Sequence, residues 1–288
     1  NSNKKSCFWA EKAKGKNMHK RITDYFSLQK IEFYGALSYS DCIEIDKNII
    51  EREDFKPESV ILFLLPYYTG ETDNISRYAA SLDYHIAIRE KANGLTEILK
   101  ELYPENNFKA YGDHSPIAEC NAAVKAGLGI YGDNGLLINE KYGSYVFIAD
   151  IVTDIPADKL GCISPCEERG CLHCRACKNA CPTGILKGEG TSCLSEITQR
   201  KGELSDSEIA LMRKYNTAWG CDICQSVCPY NKNPRVTPID FFFEERIMKL
   251  TTEIIDGMDK ESFSKRAFAW RGRKTVRRNT ELLKNRDK

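Results

Sequence analysis

Apolar positions along the chain fall into two periods. Ile22, Tyr25, Phe26 and Ile31 recur at roughly helical spacing, which predicts a helix from Met18 to about Phe33. Residues 60–65 form a continuous apolar run, introduced by Pro57 and bounded by Pro66 and Gly70, as expected of a fully buried strand. Ile88, Ala92, Leu95, Leu99 and Leu102 recur in steps of three and four, predicting a long helix over 77–102 that Pro104 ends. Residues 108–112 read as a short strand. Ser115-Pro116 supplies an N-cap and a first-turn proline for a helix that runs to Ala126 and stops at Gly127. Residues 136–138 and 145–152 read as two strands joined by a turn through Tyr142-Gly143. Helix and strand alternate, so the first half reads as α/β.

The texture changes at Ile155-Pro156. Ten of the 13 cysteines fall between Cys162 and Cys228, where large apolar residues are sparse. Something other than a hydrophobic core must organise that stretch. A helical segment follows Asn233-Pro234. The chain thus divides into a polar tail (1–17), an α/β domain (18–157), a cysteine-rich domain (158–235) and a basic helical segment (236–288). Lys+Arg is 42 and Asp+Glu 41, a net charge of +1, so no whole-chain field points to nucleic acid. The balance is an average, because residues 265–288 hold ten Lys/Arg against Glu281 and Asp287. The longest apolar run is far short of a membrane span, and the N-terminus lacks a signal peptide's apolar region. A reducing cytoplasmic setting is therefore expected. There, clustered cysteines bind metal or do chemistry rather than form disulfides.

Cys171, Cys174, Cys177 and Cys181-Pro182 read C-x2-C-x2-C-x3-C-P, the bacterial ferredoxin run for [4Fe–4S] clusters. A second set is Cys193 with Cys221-x2-Cys224-x3-Cys228-Pro229. Eight thiolates complete two cubanes. By the ferredoxin crossover, Cys171, Cys174 and Cys177 share one cluster with Cys228, and Cys181 joins Cys193, Cys221 and Cys224 on the other. Structural zinc is the alternative, but a four-ligand zinc site has no need of this register. Cys162 and Cys166 are surplus to the eight, and Cys7, Cys42 and Cys120 read as isolated thiols. Two clusters imply low-potential, one-electron transfer. The preceding domain of about 150 residues is the expected seat of chemistry. The other reading is a double-cluster electron-transfer protein that serves a partner enzyme.

Several segments resemble the epoxyqueuosine reductase family, a cobalamin- and [4Fe–4S]-dependent group related to reductive dehalogenases. They are Ser76-Arg77-Tyr78-Ala79, Asp83-Tyr84-His85, Gly112-Asp113-His114-Ser115-Pro116, Lys125-Ala126-Gly127-Leu128-Gly129 and Asn134-Gly135-Leu136-Leu137-Ile138. Cys181-Pro182-Thr183-Gly184, Trp219-Gly220-Cys221-Asp222-Ile223-Cys224-Gln225, Trp270-Arg271-Gly272-Arg273 and Arg277-Arg278-Asn279 extend the likeness. The resemblance implies an α/β cobalamin-binding domain followed by a ferredoxin-like domain. It implies reduction of the epoxide of epoxyqueuosine in tRNA to the alkene of queuosine, or a related reduction of another substrate. The cofactor would carry the hard step, while the protein supplies positioning, electrons and protons. Asp113 matches the family's catalytic aspartate, and as a general acid it calls for a raised pKa. Tyr84, His85, Gly127, Gly129 and Asn134 are the expected cobalamin contacts. Asp83-x-His85 is not the D-x-H-x-x-G cobalamin motif, since Ile88 stands at the glycine position. Asp133 stands where the family usually has Lys. The chain ends near the first of the helical repeats with which family members commonly continue, so a shortened member is expected; a monomer is expected as well. It would take electrons from an external low-potential donor and touch tRNA through its basic C-terminus.

Overall fold

The computed structural model describes residues 18–166 and 170–284. The tail over 1–17 with its Cys7, and Arg286, Asp287 and Lys288 at the other end, lie outside the described residues. The chain forms two compact units. One takes in the residues up to Pro66 with Ala87–His173; the other takes in Tyr67–Ile86 with the residues from Cys174 on.

In the first unit α1 (Lys20–Leu28) leads into β1 (Tyr34–Ser38), followed by the short α2 (Lys47–Ile50) and β2 (Ser59–Pro66). The apolar run forms β2, buried along its whole length. It is followed by α3 (Tyr84–Leu102), β3 (Phe108–Tyr111), α4 (Glu119–Lys125), β4 (Ile130–Tyr131), β5 (Leu137–Ile138), β6 (Val146–Thr153) and α5 (Ala157–Leu160). The sheet order is β1-β2-β6-β3. Helix and sheet are mixed, as the alternation predicts, but every ladder of this sheet is antiparallel. The parallel pairing usual in α/β folds is absent from it.

Side chains of a strand alternate between faces. Val60, Leu62, Leu64 and Val152 share one face with Ala122, Ala123 and Ala126 from α4 and its end. On the other face Phe63 meets Phe26 of α1, ring centroids 5.6 Å apart. There α3 docks on α1, where Tyr25 Oη donates to the Lys91 carbonyl at 2.7 Å. Ile61, Leu62, Phe63, Leu64 and Leu65 are all buried. Each such side chain contributes roughly 1.5–3 kcal/mol, so β2 anchors this unit.

Three boundaries differ from the sequence expectations, each for a local reason. The α3 helix opens at Tyr84, not 77, because the Asp83 carboxylate accepts from the His85 amide at 3.0 Å and caps it. Residues 77–79 are a single 3₁₀ turn. The α4 helix opens at Glu119, because Ser115 does not cap it. The stretch before it is held extended by Ile45 N–H to the Pro116 carbonyl and Ala118 N–H to the Ile43 carbonyl, both 2.8 Å. The turn at Tyr142-Gly143 exists, with Asn139 and Gly143 exchanging backbone hydrogen bonds. It does not make a hairpin of its flanking strands, since β5 pairs with β4 and β6 enters the main sheet.

The second unit contains α6 (Ala176–Ala180), α7 (Leu194–Gln199), α8 (Asp206–Lys214), α9 (Ile223–Ser226), α10 (Thr252–Gly257), α11 (Lys260–Ser264) and α12 (Arg273–Lys284). Residues 67–86 belong with it because Ile75 bridges Trp219 and Leu82 bridges Arg266. The Asn74 side chain donates to the Leu250 carbonyl and accepts from the Leu250 amide, at 2.9 and 2.7 Å. Residues 158–166, by contrast, pack with the sheet, where the Ile163 amide donates to the Ala36 carbonyl at 3.0 Å. Both assignments differ from a single cut at the change of sequence texture.

Candidate active site and cluster ligands

Cysteines of the second unit converge from three elements. Cys177 lies on α6 and Cys224 on α9, and the two helices pack together. Cys193 caps α7. Burial pushes the Cys221 thiol up, and Cys193 and Cys181 stand close enough to raise it further. Cys181 is lowered, because hydrogen bonds from the Leu186, Thr183 and Gly184 amides and the Thr183 hydroxyl outweigh its desolvation. Amide donors converging on sulfur suit a cluster thiolate and tune its potential. In the first unit the Asp133 amide donates to Cys171 Sγ at 3.4 Å, and Asp133 Oδ1 lies 2.8 Å from His173 Nδ1. No disulfide joins the cysteines of the described residues.

The Cys221 loop is held from several sides. The buried Asp222 carboxylate accepts from the Arg77 amide at 2.7 Å and the Arg77 guanidinium at 3.0 Å, and from the Ser76 hydroxyl. Trp219 is fully buried and donates from Nε1 to Tyr78 Oη at 2.9 Å. The Asn279 amide group on α12 donates to the Thr198 and Ala218 carbonyls at 2.6 and 2.8 Å. The Ser76-Arg77-Tyr78, Trp219-to-Gln225 and Arg277-to-Asn279 segments thus support the thiols of this unit. Cys162 and Cys166 lie along the sheet unit, where Cys162 Sγ faces Ser59 Oγ at 3.7 Å and the Cys166 amide donates to the Lys125 carbonyl.

Asp113 sits on an exposed turn between β3 and α4 with φ +66°, a left-handed conformation that Asp tolerates better than most residues. The turn hugs α3: a Cβ on Gly112 would stand 2.9 Å from Ile88 Cδ1. Five residues lie between Asp113 and Glu119, the first residue of α4, so Asp113 does not occupy the cap or first turn of that helix. Two carboxyls lie beside it, that of Asp150 fully buried and that of Glu119 partly so, and the sequence does not mark them as a site. The Asp113 amide donates to Glu119 Oε1 at 3.3 Å. The Glu119 carboxyl neighbours that of Asp150, closely enough for each to perturb the other's titration. Asp150 is fully buried on β6, paired in register with Tyr111, and accepts from Ser115 Oγ at 3.1 Å. Both pKa values are raised, by burial first; Glu119 is raised further by the Asp150 and Asp113 carboxylates. Asp150 Oδ1 and Tyr111 Oη are buried and make no hydrogen bond. Burial likewise pushes the Cys42 and Cys120 thiols up to about 12, with Asp150 and Glu119 beside them, so both are inert thiols.

The expected cobalamin contacts fall in different settings. Tyr84 is buried and stacks on His85 at 4.2 Å, and His85 Nδ1 lies 2.8 Å from Asp83 Oδ1. Gly127 ends α4 at φ +74°. Gly129 meets its own hairpin: a Cβ there would stand 2.6 Å from the Ile138 carbonyl oxygen. Asn134 presents a buried Nδ2 without a hydrogen-bond partner, the mark of a group that awaits an acceptor.

The basic C-terminal segment is largely paired within the chain. Arg266 reaches Glu245, Arg277 reaches Asp256 and Glu281, Lys265 reaches Glu261 and Lys284 reaches Glu253. Arg273 donates to the Ile255, Met258 and Asp259 carbonyls, and Arg278 to those of Arg200 and Gly202. Arg271 lies over the exposed Trp270 ring, 3.7 Å from its centroid. Among the described residues no helix is long and apolar enough to cross a membrane.

The family model described as 4Fe-4S double cluster binding domain matches residues 170–231. The model described as Epoxyqueuosine reductase QueG, DUF1730 matches residues 55–114. The epoxyqueuosine reductase of Listeria monocytogenes is 34% identical over 265 residues, covering 83% of this chain and 67% of that protein. The epoxyqueuosine reductase of Cyclobacterium marinum is 32% identical over 272 residues, covering 88% and 84%. The fold matches that of a crystal structure of epoxyqueuosine reductase with an epoxyqueuosine-modified tRNA-Tyr stem loop. That match has a TM-score of 0.72 at 23% identity and covers 91% of this chain and 80% of the other. At this identity across this much of both sequences, the chain belongs to the epoxyqueuosine reductase family.

Proposed function

We propose that this protein is a cobalamin-dependent iron–sulfur reductase that converts epoxyqueuosine in tRNA to queuosine in the cytoplasm. The observation that carries the reading is a double-cluster segment set within a chain that matches epoxyqueuosine reductases along most of its length. Cys171, Cys174, Cys177 and Cys228 would hold one cluster, and Cys181, Cys193, Cys221 and Cys224 the other. The amide donors at Cys171 and Cys181 and the anchored Cys221 loop fit that load. The orphan Nδ2 of Asn134 fits an acceptor on the corrin periphery. Tyr84 and His85 are further contacts, while Gly127 and Gly129 shape the backbone that leads into the β4–β5 hairpin bearing Asn134. An external low-potential donor supplies the electrons. When bound, the clusters relay electrons singly and cobalamin provides the reducing power that opens the epoxide.

The chain's own residues then handle orientation and protons. Asp113 is exposed on a turn held by Gly112 against α3 and by Glu119 at its amide. From there it protonates the departing epoxide oxygen. Asp113→Asn keeps the turn and its hydrogen bonds but removes the acid. With both clusters and cobalamin still bound, it lowers turnover about 10²–10⁴-fold. Full turnover by that variant would remove Asp113 from this role.

A further inference from the structure

Deoxygenating an epoxide to an alkene breaks two C–O bonds, forms one C=C π bond and releases the oxygen as water. The balance takes two electrons and two protons. A low-potential one-electron donor acting through the clusters supplies the electrons. Asp113 supplies one proton, and the second needs a source of its own.

Given a reductase in which Asp113 is the acid, we infer that Glu119 and Asp150 form a proton-sharing carboxyl pair that positions the Asp113 turn and passes it the second proton of each turnover. Carboxylate oxygens only accept hydrogen bonds, so two neighbouring carboxyls can bond to each other only by holding a proton between them. Glu119 faces both sides: its Oε1 accepts from the Asp113 amide, and its carboxyl neighbours that of Asp150. Asp150 is fully buried, and its Oδ1 makes no hydrogen bond. An ionised carboxylate with an unpartnered buried oxygen is costly, so the site favours keeping the proton.

Among the described residues, the groups that face the pair are Asp113 on its turn, Tyr111 on β3, Cys120 on α4, Cys42 beyond Asp150, and Ser115. None of these is a cation that could compensate an ionised pair. Lys125, at the far end of α4, gives its ammonium to the Asp41 carbonyl at 3.0 Å. Lys109 pairs with Glu53 at 2.8 Å. After Asp113 has donated, the proton held by the pair moves to the Asp113 carboxylate. The pair then regains a proton from solvent before the next cycle. Glu119 is thus a positioning and relay residue, while Asp113 is the group that meets substrate.

The test uses the chain reconstituted with iron, sulfide and cobalamin. Before substrate is added, infrared spectra at pH 7 should show the carbonyl stretch of a protonated carboxylic acid. The band of the pair should shift in D₂O and vanish in both Glu119→Gln and Asp150→Asn, while that of the Asp113 acid persists in both and is lost in Asp113→Asn. On an epoxyqueuosine-modified tRNA stem loop, Glu119→Gln should slow steady-state turnover about a hundredfold and remove the alkaline limb of the pH profile. Asp150→Asn keeps the size of the side chain and should do the same, which guards against a folding failure in one variant. Absence of the pair's protonated band, or turnover of both variants within twofold of wild type with an unchanged pH profile, overturns the inference. If Asp113→Asn is inactive in that case, the proton-donor reading stands and only the relay falls. If Asp113→Asn is fully active, both fall.

Discussion

Asp222 shows how much can depend on a single side chain next to a cluster ligand. It lies between Cys221 and Ile223, and its carboxylate collects the Arg77 amide, the Arg77 guanidinium and the Ser76 hydroxyl. Both partners of the ion pair are about nine-tenths buried. Removing Asp222 leaves the buried Arg77 amide and Ser76 hydroxyl without their acceptor, while the Arg77 guanidinium keeps its pair with Glu71, and the lost acceptor costs about 1–3 kcal/mol. Asp222→Ala should therefore shift the urea midpoint by that free energy and lower the iron retained after reconstitution. An unchanged midpoint would show that the loop is held without it. Residues differ sharply in how legible they are. The eight cysteines are readable because metal ligation imposes a spacing that no other role requires. Asp150 leaves a fainter signal, as the lone charged residue among the apolar positions Phe147, Ile148, Ala149, Ile151 and Val152. Glu119 leaves none, since an acidic residue at a helix start is ordinary dipole chemistry.

Among the elements, β2 and β6 govern both stability and the acid site. Leu62→Ala on β2 should cost about 2–5 kcal/mol, as for other fully buried leucines, measured by denaturant unfolding. Gly129→Ala forces a methyl onto the Ile138 carbonyl in the β4–β5 hairpin, so it should lower the melting temperature as well. The Asp150–Glu119 pair sets the pH dependence. Its folded pKa values are raised, so the folded chain binds more protons than the unfolded chain above about pH 4.3. Stability therefore falls as pH rises from the ordinary carboxylate range toward the raised values, then levels off. Asp150→Asn should flatten that slope, and a slope identical to wild type would refute the burial-driven shift. The helix over 84–102 and the strand over 59–66 are legible because apolar periodicity dominates them. Strand β1 and the pairing of β4 with β5 are not, because short strands owe their existence to partners distant in sequence. The start of α4 departs from its capping signal because Ser115 bonds Asp150 on β6, a tertiary demand that overrides the local one.

For the whole molecule, the net charge of +1 conceals a basic C-terminal segment, in which Lys265, Arg266, Arg277 and Lys284 are ion-paired within the chain. Ammonium and guanidinium groups already bonded to Asp256, Glu253 and Glu281 release few counterions on meeting phosphate. Arg277→Gln and Lys284→Gln should therefore leave stem-loop affinity within about twofold and the salt slope unchanged. A slope reduced by about one per variant would place those residues on the phosphates. The central claim is that the chain is a reductase using both cofactors, and one measurement addresses it most directly. The chain is reconstituted anaerobically with iron and sulfide, with and without cobalamin, supplied with a low-potential reductant and offered the epoxyqueuosine-modified stem loop. The nucleosides are then separated by mass. The account predicts two [4Fe–4S] clusters per chain, bound cobalamin and conversion to queuosine only when both cofactors are present. Clusters that load and accept electrons in a chain that binds no cobalamin and leaves the epoxide intact would contradict it.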